Sequence, residues 1–440
     1  MRVFLLNKIN FMLKYKYMKN LKLWYLYDFA NSFASSVVIF YFPLILLEAK
    51  VPDFYIGAST AISTLVLLIL YPYMGKKSDF DTSKRLRYIR ASSVFMALVL
   101  ILIAIISGLY SVASLPILLI LCALYIIFQI AFQGSYVFYT AQMQELEESG
   151  HNKNKLSSVG MGLGQLGNAV SIGLMSFIVG AGLVIFGLTG KSLALFLGAI
   201  LFTILGIPYL IQKNKYLKKE NQKVYNLDNN NNKSLVANLT YFKSVFSKIY
   251  KNKKIFYFVI GYALVADSIS TFQVYLSIYM KKVFLLDDKT IGVMGAISLF
   301  SLFLTCMVYG HFEKRFKNKK FVLIVGGSVY LFVFSLLAVI PPVKIYIILA
   351  LISTGIAYGL FFPIARSIYS DIIPKENQAE YFSSFVIFER SAAVFGPILW
   401  LGTFYVFKNF GEDVQYRGSV FFLVLISLFG LFFLKKSFRI

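Results

Sequence analysis

The stretch WYLYDFANSFASSVVIFYFP, residues 24–43, decides the fold. It holds a single ionisable group, Asp28, among aromatic, aliphatic and small residues. Twenty such residues in a helix rise about 30 Å, the thickness of a bilayer's hydrocarbon core. A carboxylate within such a span costs about 2.5–3.5 kcal/mol on insertion scales, so it marks function by default. The local pattern recurs: Asp28 precedes Ser32-Phe33, and Asp267 precedes Thr271-Phe272, giving D-x-x-x-[ST]-F twice at an offset of 239 residues.

The rest of the chain agrees with a membrane reading. Its 440 residues are 58% hydrophobic and only 15% charged, with a mean hydropathy of +0.71. Soluble domains carry about 25% charged residues, so a water-soluble enzyme is excluded, as are disorder, collagen and coiled coil as the main architecture. Twelve apolar runs bounded by charges or turn residues are expected as spans, at 22–47, 54–74, 88–110, 115–139, 157–184, 191–211, 255–281, 290–310, 321–341, 345–369, 381–407 and 418–434. No charge occurs from Leu156 to Gly190, too long a run for one upright span, so a hairpin is expected over the Gly-rich segment 180–190.

The formal charge of +24 is a topological signal. With both termini on the cytoplasmic side, 34 of the 44 Lys and Arg fall on that side, eight fall outside and two lie within spans. The positive-inside rule prefers this orientation, and a cell-membrane location is expected. Residues 1–21 form a basic cytoplasmic start, without the small-residue cleavage pattern of a signal peptide. Met12 and Met18 are alternative starts. Residues 212–254, with a Lys-rich stretch and the Asn229–Asn232 run, read as a cytoplasmic linker between six-span halves at 22–211 and 255–434, followed by a tail at 435–440. The basic linker is expected to meet lipid headgroups, not nucleic acid.

Further matches support an internal repeat. Gly75 pairs with Gly310, Phe132 and Tyr139-Thr140 with Phe362 and Tyr369-Ser370, and Ser157-Ser158 with Ser383-Ser384. Their offsets fall steadily from 235 through 230 to 226, and collinear order of this kind is hard to obtain by chance. Two parallel six-helix halves place a substrate site near the bilayer midplane between them, exposed to each side in turn. The expected fold is therefore an all-α polytopic membrane protein of twelve transmembrane helices in two pseudo-symmetric halves.

The first-span segment Trp24 to Phe33, ending in Phe42-Pro43, resembles the first-helix signature of the vacuole-effluxer-like branch of the major facilitator superfamily. Lys155 to Gly167, Asp267, Ala365-Arg366-Ser367, Ile373-Pro374, Ala379 to Phe382 and Gly396-Pro397 are also similar to that branch. The resemblance covers both halves and implies a facilitator transporter, in a branch whose eukaryotic members export amino acids from the vacuole. The loop Gly75-Lys76-Lys77-Ser78-Asp79 with Lys84-Arg85 is similar to the superfamily's gating loop, although Phe80 and Thr82 stand where Arg and Gly would be expected. In the second half Gly310 and Arg315 fit it, with Lys314 in place of the acid. By resemblance, Asp79 would latch the cytoplasmic side.

Five charges lie within spans: Asp28, Asp267, Arg366, Glu389 and Arg390. At 1.5 Å per residue, Asp267 is about 18 Å and Glu389–Arg390 about 13 Å into their spans, but Asp28 is only about 8 Å beyond Lys22, a mismatch with its repeat partner. A zwitterionic amino acid fits such a set, its ammonium facing Asp28 or Asp267 and its carboxylate facing Arg366 or Arg390. Adjacent Glu389 and Arg390 point about 100° apart on a helix and are not each other's partners. Asn31, Ser32, Gln129, Gln133, Tyr136 and Gln273 are candidate cavity residues, and interhelical hydrogen bonding explains them equally well. Gly162, Gly164 and Gly167 fit G-x-G-x-x-G, but no strand precedes them. With Gly160 they read as close helix packing at the boundary between halves, and Gly396-Pro397 reads as a hinge.

Cys122 and Cys306 lie in apolar runs, and His151 and His311 lie in connections, so no disulfide, metal site or cofactor is expected. The expectation is a monomeric secondary transporter, not an enzyme, that moves a small polar solute, most plausibly an amino acid outward, by alternating access. Proton coupling is expected from the buried carboxylates. Export of drugs or another metabolite such as a sugar or peptide, and a non-transporting role such as lipid scrambling, remain open alternatives.

Overall fold

The computed structural model describes residues 2–80, 84–148, 153–212, 247, 249–312, 315, 318–374 and 378–440. Most of the expected linker therefore lies outside the described residues. Twelve long helices dominate: α1 (Arg2–Glu48), α2 (Phe54–Phe80), α3 (Arg85–Leu109), α4 (Leu115–Glu148), α5 (Lys153–Gly180), α6 (Gly190–Leu210), α7 (Lys253–Val283), α8 (Asp288–Phe312), α9 (Lys319–Val339), α10 (Lys344–Ile372), α11 (Gln378–Val406) and α12 (Glu412–Arg439). Each expected run corresponds to one helix. The largest difference is at α1, which starts at Arg2 and not at residue 22. Lys22 interrupts the apolar run, but nothing in the sequence there breaks a helix.

Helix ends are set locally. Asn252 and Asn318 accept hydrogen bonds from the backbone N–H of Ile255 and Phe321, at 3.2 and 3.1 Å, capping α7 and α9. Asp287 does the same for Thr290 at the start of α8, at 3.1 Å. The hairpin expected between spans five and six is present as β1 (Val184–Ile185) paired antiparallel with β2 (Leu188–Thr189). Gly187, at φ +77°, takes the left-handed turn that residues with a Cβ disfavour.

Ten helices contain a described stretch long and apolar enough to cross a membrane, and the described apolar parts of α2 and α11 are shorter, at Phe54–Leu70 and Val394–Val406. The packing repeats with sequence order. In the first half α1 lies against α5 and α6, α3 against α4 and α6, and α2 against α4; in the second, α7 lies against α11 and α12, α9 against α10 and α12, and α8 against α10. The sets meet through α5 with α8, α2 with α11, and α1 with α7, each contact being the image of another or of itself. α1 and α7 are the inner helices: 83% and 72% of their apolar windows are buried, against 33% for α3. Leu98 and Leu102 of α3, Phe332 of α9 and Phe429 of α12 instead turn outward, as a lipid-facing rim requires.

Candidate functional site

Each of the two repeated aspartates packs against a glycine on the fifth helix of its half. Asp28 of α1 is buried, and a Cβ added to Gly164 or Gly160 of α5 would stand 3.4 or 3.6 Å from its Oδ2. Ser32 lies one turn on, 3.1 Å from the same Gly164 position. In the second half buried Asp267 and Thr271 of α7 face Gly396 of α11, where a Cβ would overlap Asp267 Oδ1 and Thr271 Oγ1. The D-x-x-x-[ST] pattern is thus half of a joint whose other half is a glycine on the fifth helix. The depth mismatch expected for Asp28 recurs on the fifth helices, where Gly164 stands seven residues after Ser157 and Gly396 thirteen after Ser383.

The two contacts differ in their polar partners. The backbone N–H of Gly396 donates to Asp267 Oδ1 at 3.0 Å. Asp28 lies near the Tyr139 hydroxyl, which donates to the Trp24 carbonyl at 3.1 Å. Trp24 returns a bond from Nε1 to the Tyr139 carbonyl at 3.3 Å, and the two rings stack with centroids 4.6 Å apart.

A second polar group joins three helices of the second half. Tyr262 of α7 donates to Glu389 Oε2 of α11 at 2.9 Å. Glu389 Oε1 stands 3.6 Å from Nη2 of Arg366 on α10, beyond strong hydrogen-bond range. The Arg366 side chain is 49% exposed although it is flanked by aromatic helices, so its fork of donors faces open space and is only loosely held. Tyr136 of α4, in the opposite half, interacts electrostatically with Arg366. Phe385 stacks on Tyr262 at 4.3 Å and Phe362 lies 4.4 Å from Tyr358, which gives this group an aromatic wall.

Other expected cavity residues are spread out. Gln129 is buried and donates to the Tyr125 hydroxyl at 2.9 Å, Gln133 is half-buried, Asn31 is buried with its Oδ1 unpaired among the described residues, and Gln273 is exposed. The side chain of Arg390 lies outside the described residues. So do the surroundings of Gly75 and the side chain of Asp79, in the last turns of α2, which leaves the expected latch undescribed. Arg85 is buried and donates to the Ala141 carbonyl at 3.0 Å, while Lys84 precedes α3 at the surface. Gly310 lies in the last turn of α8, and Arg315 stacks over the Phe312 ring at 5.0 Å. Gly160, Gly164 and Gly167 pack on Trp24, Asp28 and Phe29 of α1 in their own half, not at the boundary between halves. Within this motif the glycine facing the boundary is Gly162, whose Cβ would stand 2.5 Å from Met307 of α8. The stripe is wide enough to serve two neighbours, and spacing alone does not say which takes which glycine.

At the end of the molecule holding the hairpin, four charges form a ring that the sequence reading missed. Lys191 of α6 bonds Glu48 of α1 and lies 2.5 Å from Asp288 of α8. Lys281 of α7 lies 2.7 Å from Asp288 and 3.5 Å from Glu48. Each half contributes one acid and one base, so the ring alternates in sign and ties the halves together. Beside it Tyr416 of α12 donates to Asp53 Oδ2 at 2.8 Å, a second link between halves. Burial pushes the Asp53 carboxyl up to about 6, against the lowering effect of the Tyr416 hydrogen bond and of Lys282, with Glu412 raising it further.

The family model of the Major Facilitator Superfamily matches residues 24–397, and again residues 258–438. The chain belongs to this superfamily. It is thus a multi-pass membrane transporter, not an enzyme, with a bilayer around it and a small molecule as substrate. Among superfamily relatives, the protein named uncharacterized MFS-type transporter YxiO of Bacillus subtilis (strain 168) is 25% identical over 403 residues, 86% of each chain. Autophagy-related protein 22 of Gibberella zeae is 23% identical over 282 residues, 58% of this chain and 40% of that one. The same-named protein of Vanderwaltozyma polyspora is 22% identical over 193 residues, 41% of this chain and 36% of that one. The fold is similar to that of a point mutant of the nucleoside transporter NupG, with a TM-score of 0.72 at 14% identity over 95% of this chain and all of that one. A bacterial homolog of the human lysosomal transporter Spinster gives a TM-score of 0.65 at 13% identity, over 97% of both chains. This confirms the superfamily fold expected from the first-helix motif.

Proposed function

We propose that this transporter exports a small amino acid from the cell by alternating access, with both termini in the cytoplasm. The observation that carries the reading is the half-exposed Arg366 fork beside Glu389 and Tyr262. A guanidinium held at 3.6 Å by one carboxylate keeps donors to offer a second. Glu389, oriented by the Tyr262 hydroxyl, then faces the ammonium, and the aromatic wall of Tyr358, Phe362 and Phe385 meets the side chain. One carboxylate and one ammonium site at this spacing favour a zwitterion over a sugar, which needs no paired charges. The resemblance to vacuole effluxers, and the relatives named autophagy-related protein 22, support the same class.

The hairpin-side ring closes what the positive-inside rule makes the outer face, while Arg366 stays accessible, and a state closed on one side is what alternating access requires. Proton coupling falls most naturally on Asp28, whose Tyr139 neighbour can donate to it or accept from it as its charge changes. A monomer in the cell membrane suffices for this cycle. The reading is tested by a thermal-shift screen of the detergent-purified protein against amino acids, nucleosides, sugars and amphipathic drugs. At least one amino acid is expected to raise the unfolding temperature; stabilisation by a sugar, nucleoside or drug with none by any amino acid overturns the assignment.

A further inference from the structure

Asp267 looks like a coupling carboxylate in sequence, yet its contacts in the structure are those of a mechanical part. Its Oδ1 accepts the Gly396 N–H at 3.0 Å, and Thr271, one turn along α7, completes the contact. The next residue of α11 is Pro397, which has no N–H and leaves the carbonyl four residues earlier without its helical donor. The α11 ladder is therefore weakest where Asp267 grips it. Glycine at 396 is required by the approach itself, since any Cβ would overlap both Thr271 Oγ1 and Asp267 Oδ1. Seven residues before this point, two turns along the same face, stands Glu389, which holds Arg366 and takes the Tyr262 hydroxyl. In the first half Asp28 stands against Gly164 at ordinary contact distance, and α5 has no proline within it.

We infer that Asp267 is a positioning residue: by accepting the Gly396 N–H it pins the soft point of α11 to α7, and so sets where the Glu389 segment stands relative to Arg366. The feature used is the acceptor oxygen, not the negative charge. Asparagine keeps that oxygen and alanine does not, which separates this role from proton or substrate coupling, where asparagine would fail as alanine does.

The test needs no knowledge of the substrate. In a background with Cys122 and Cys306 replaced by alanine, a reporter Phe388→Cys beside Glu389 is labelled with N-ethylmaleimide in the detergent-purified protein. Asp267→Asn is expected to label within about twofold of the parent and Asp267→Ala to differ by about fivefold or more, the change that losing one neutral-strength hydrogen bond predicts. Gly396→Ala should behave like Asp267→Ala. If Asp267→Asn matches Asp267→Ala, or if Asp267→Ala labels like the parent, the inference is overturned. Should Asp267→Ala fail to fold, Asp267→Asn decides alone: parent-like labelling supports the pin and altered labelling overturns it. None of these outcomes depends on which solute is carried.

Discussion

Lys191 of α6 reaches Asp288 of α8 across the boundary between the two halves, Nζ to Oδ2 at 2.5 Å, with both side chains largely withdrawn from solvent. Each is also bonded to a further member of the ring, Lys191 to Glu48 and Asp288 to Lys281. Lys191→Gln would leave Glu48 and Asp288 facing each other without the cation between them. The loss, about 1–3 kcal/mol for a charged hydrogen bond, falls on the state with this face closed. The variant should label a cysteine placed at buried Ser176 severalfold faster than the parent does. A ring also predicts what a lone pair does not. Exchanging only Lys191 and Asp288 restores their mutual contact but sets an acid at position 191 against Glu48 and a base at position 288 against Lys281, so that variant should stay fast. Exchanging all four charges should restore slow labelling. Rescue by the two-residue exchange alone would show that the pair acts by itself.

Asp53 gives the same face a pH dependence. Its carboxyl is held near 6 in the closed form, above the ordinary 3.8, because burial disfavours its charge more than Tyr416 and Lys282 favour it. The closed form therefore holds the proton more tightly than a form in which Asp53 meets water. The resulting preference for closure is full below pH about 4 and is lost as pH rises through about 6. Labelling at Ser176→Cys, taken relative to an exposed control cysteine at each pH because the thiolate is the reacting form, should slow on acidification from pH 7 to 5, and Asp53→Asn should flatten that ratio. Tyr416→Phe removes a hydrogen bond that favours the charged form, so it should move the midpoint upward. A midpoint unmoved by Tyr416→Phe would mean that another group titrates.

Arg366 tests the solute reading. Lysine preserves the charge but not the planar fork, and a bidentate carboxylate contact tolerates that exchange poorly. Arg366→Lys should weaken the stabilisation by whichever amino acid the thermal screen identifies, by about tenfold or more in half-saturating concentration, equivalent to about 1.4 kcal/mol. Glu389→Gln keeps an acceptor for the Tyr262 hydroxyl, and should weaken the zwitterion more than an analogue lacking the ammonium. Equal effects on both ligands would remove Glu389 from ammonium recognition.

The spans and the repeat are legible in the sequence because a membrane enforces them: apolar runs must match its thickness, and one D-x-x-x-[ST]-F element serves two helices in equivalent places. The partnership of Asp267 with Gly396 is hidden although both residues stand out singly, since 129 residues separate them and no local pattern joins them. The ring escapes notice for a different reason. Glu48, Lys191, Lys281 and Asp288 each sit at a helix end, where a charge is the ordinary sign that a span is over, and only the packing of α1, α6, α7 and α8 turns four such signs into one contact. The glycines of α5 show that something packs closely, but their period fits two neighbours at once.

Gly292 offers a steric test of the same closed face that leaves every charge in place. It lies on α8 one turn beyond Asp288, where a Cβ would overlap Ser176 Cβ of α5 and stand 3.0 Å from the Tyr41 hydroxyl of α1. Both neighbours belong to the opposite half and both are rigidly held, Ser176 by its helix backbone and Tyr41 by donating to the Ile172 carbonyl at 3.3 Å. A methyl group there cannot be absorbed by a flexible side chain, and overpacking of this kind costs about 1–3 kcal/mol. In the proposed cycle the halves separate at this face in the open state, so the cost is expected to fall on closure and not on folding. Gly292→Ala should therefore speed the labelling of a cysteine placed at Thr290, at the hairpin-side start of α8, while the unfolding temperature of the detergent-purified protein changes little. Ser176→Gly removes the overlapping atom and should return the rate toward the parent. If Gly292→Ala instead lowers the unfolding temperature without altering labelling, α5 and α8 stay together in both states and the opening lies elsewhere, along α2 and α11.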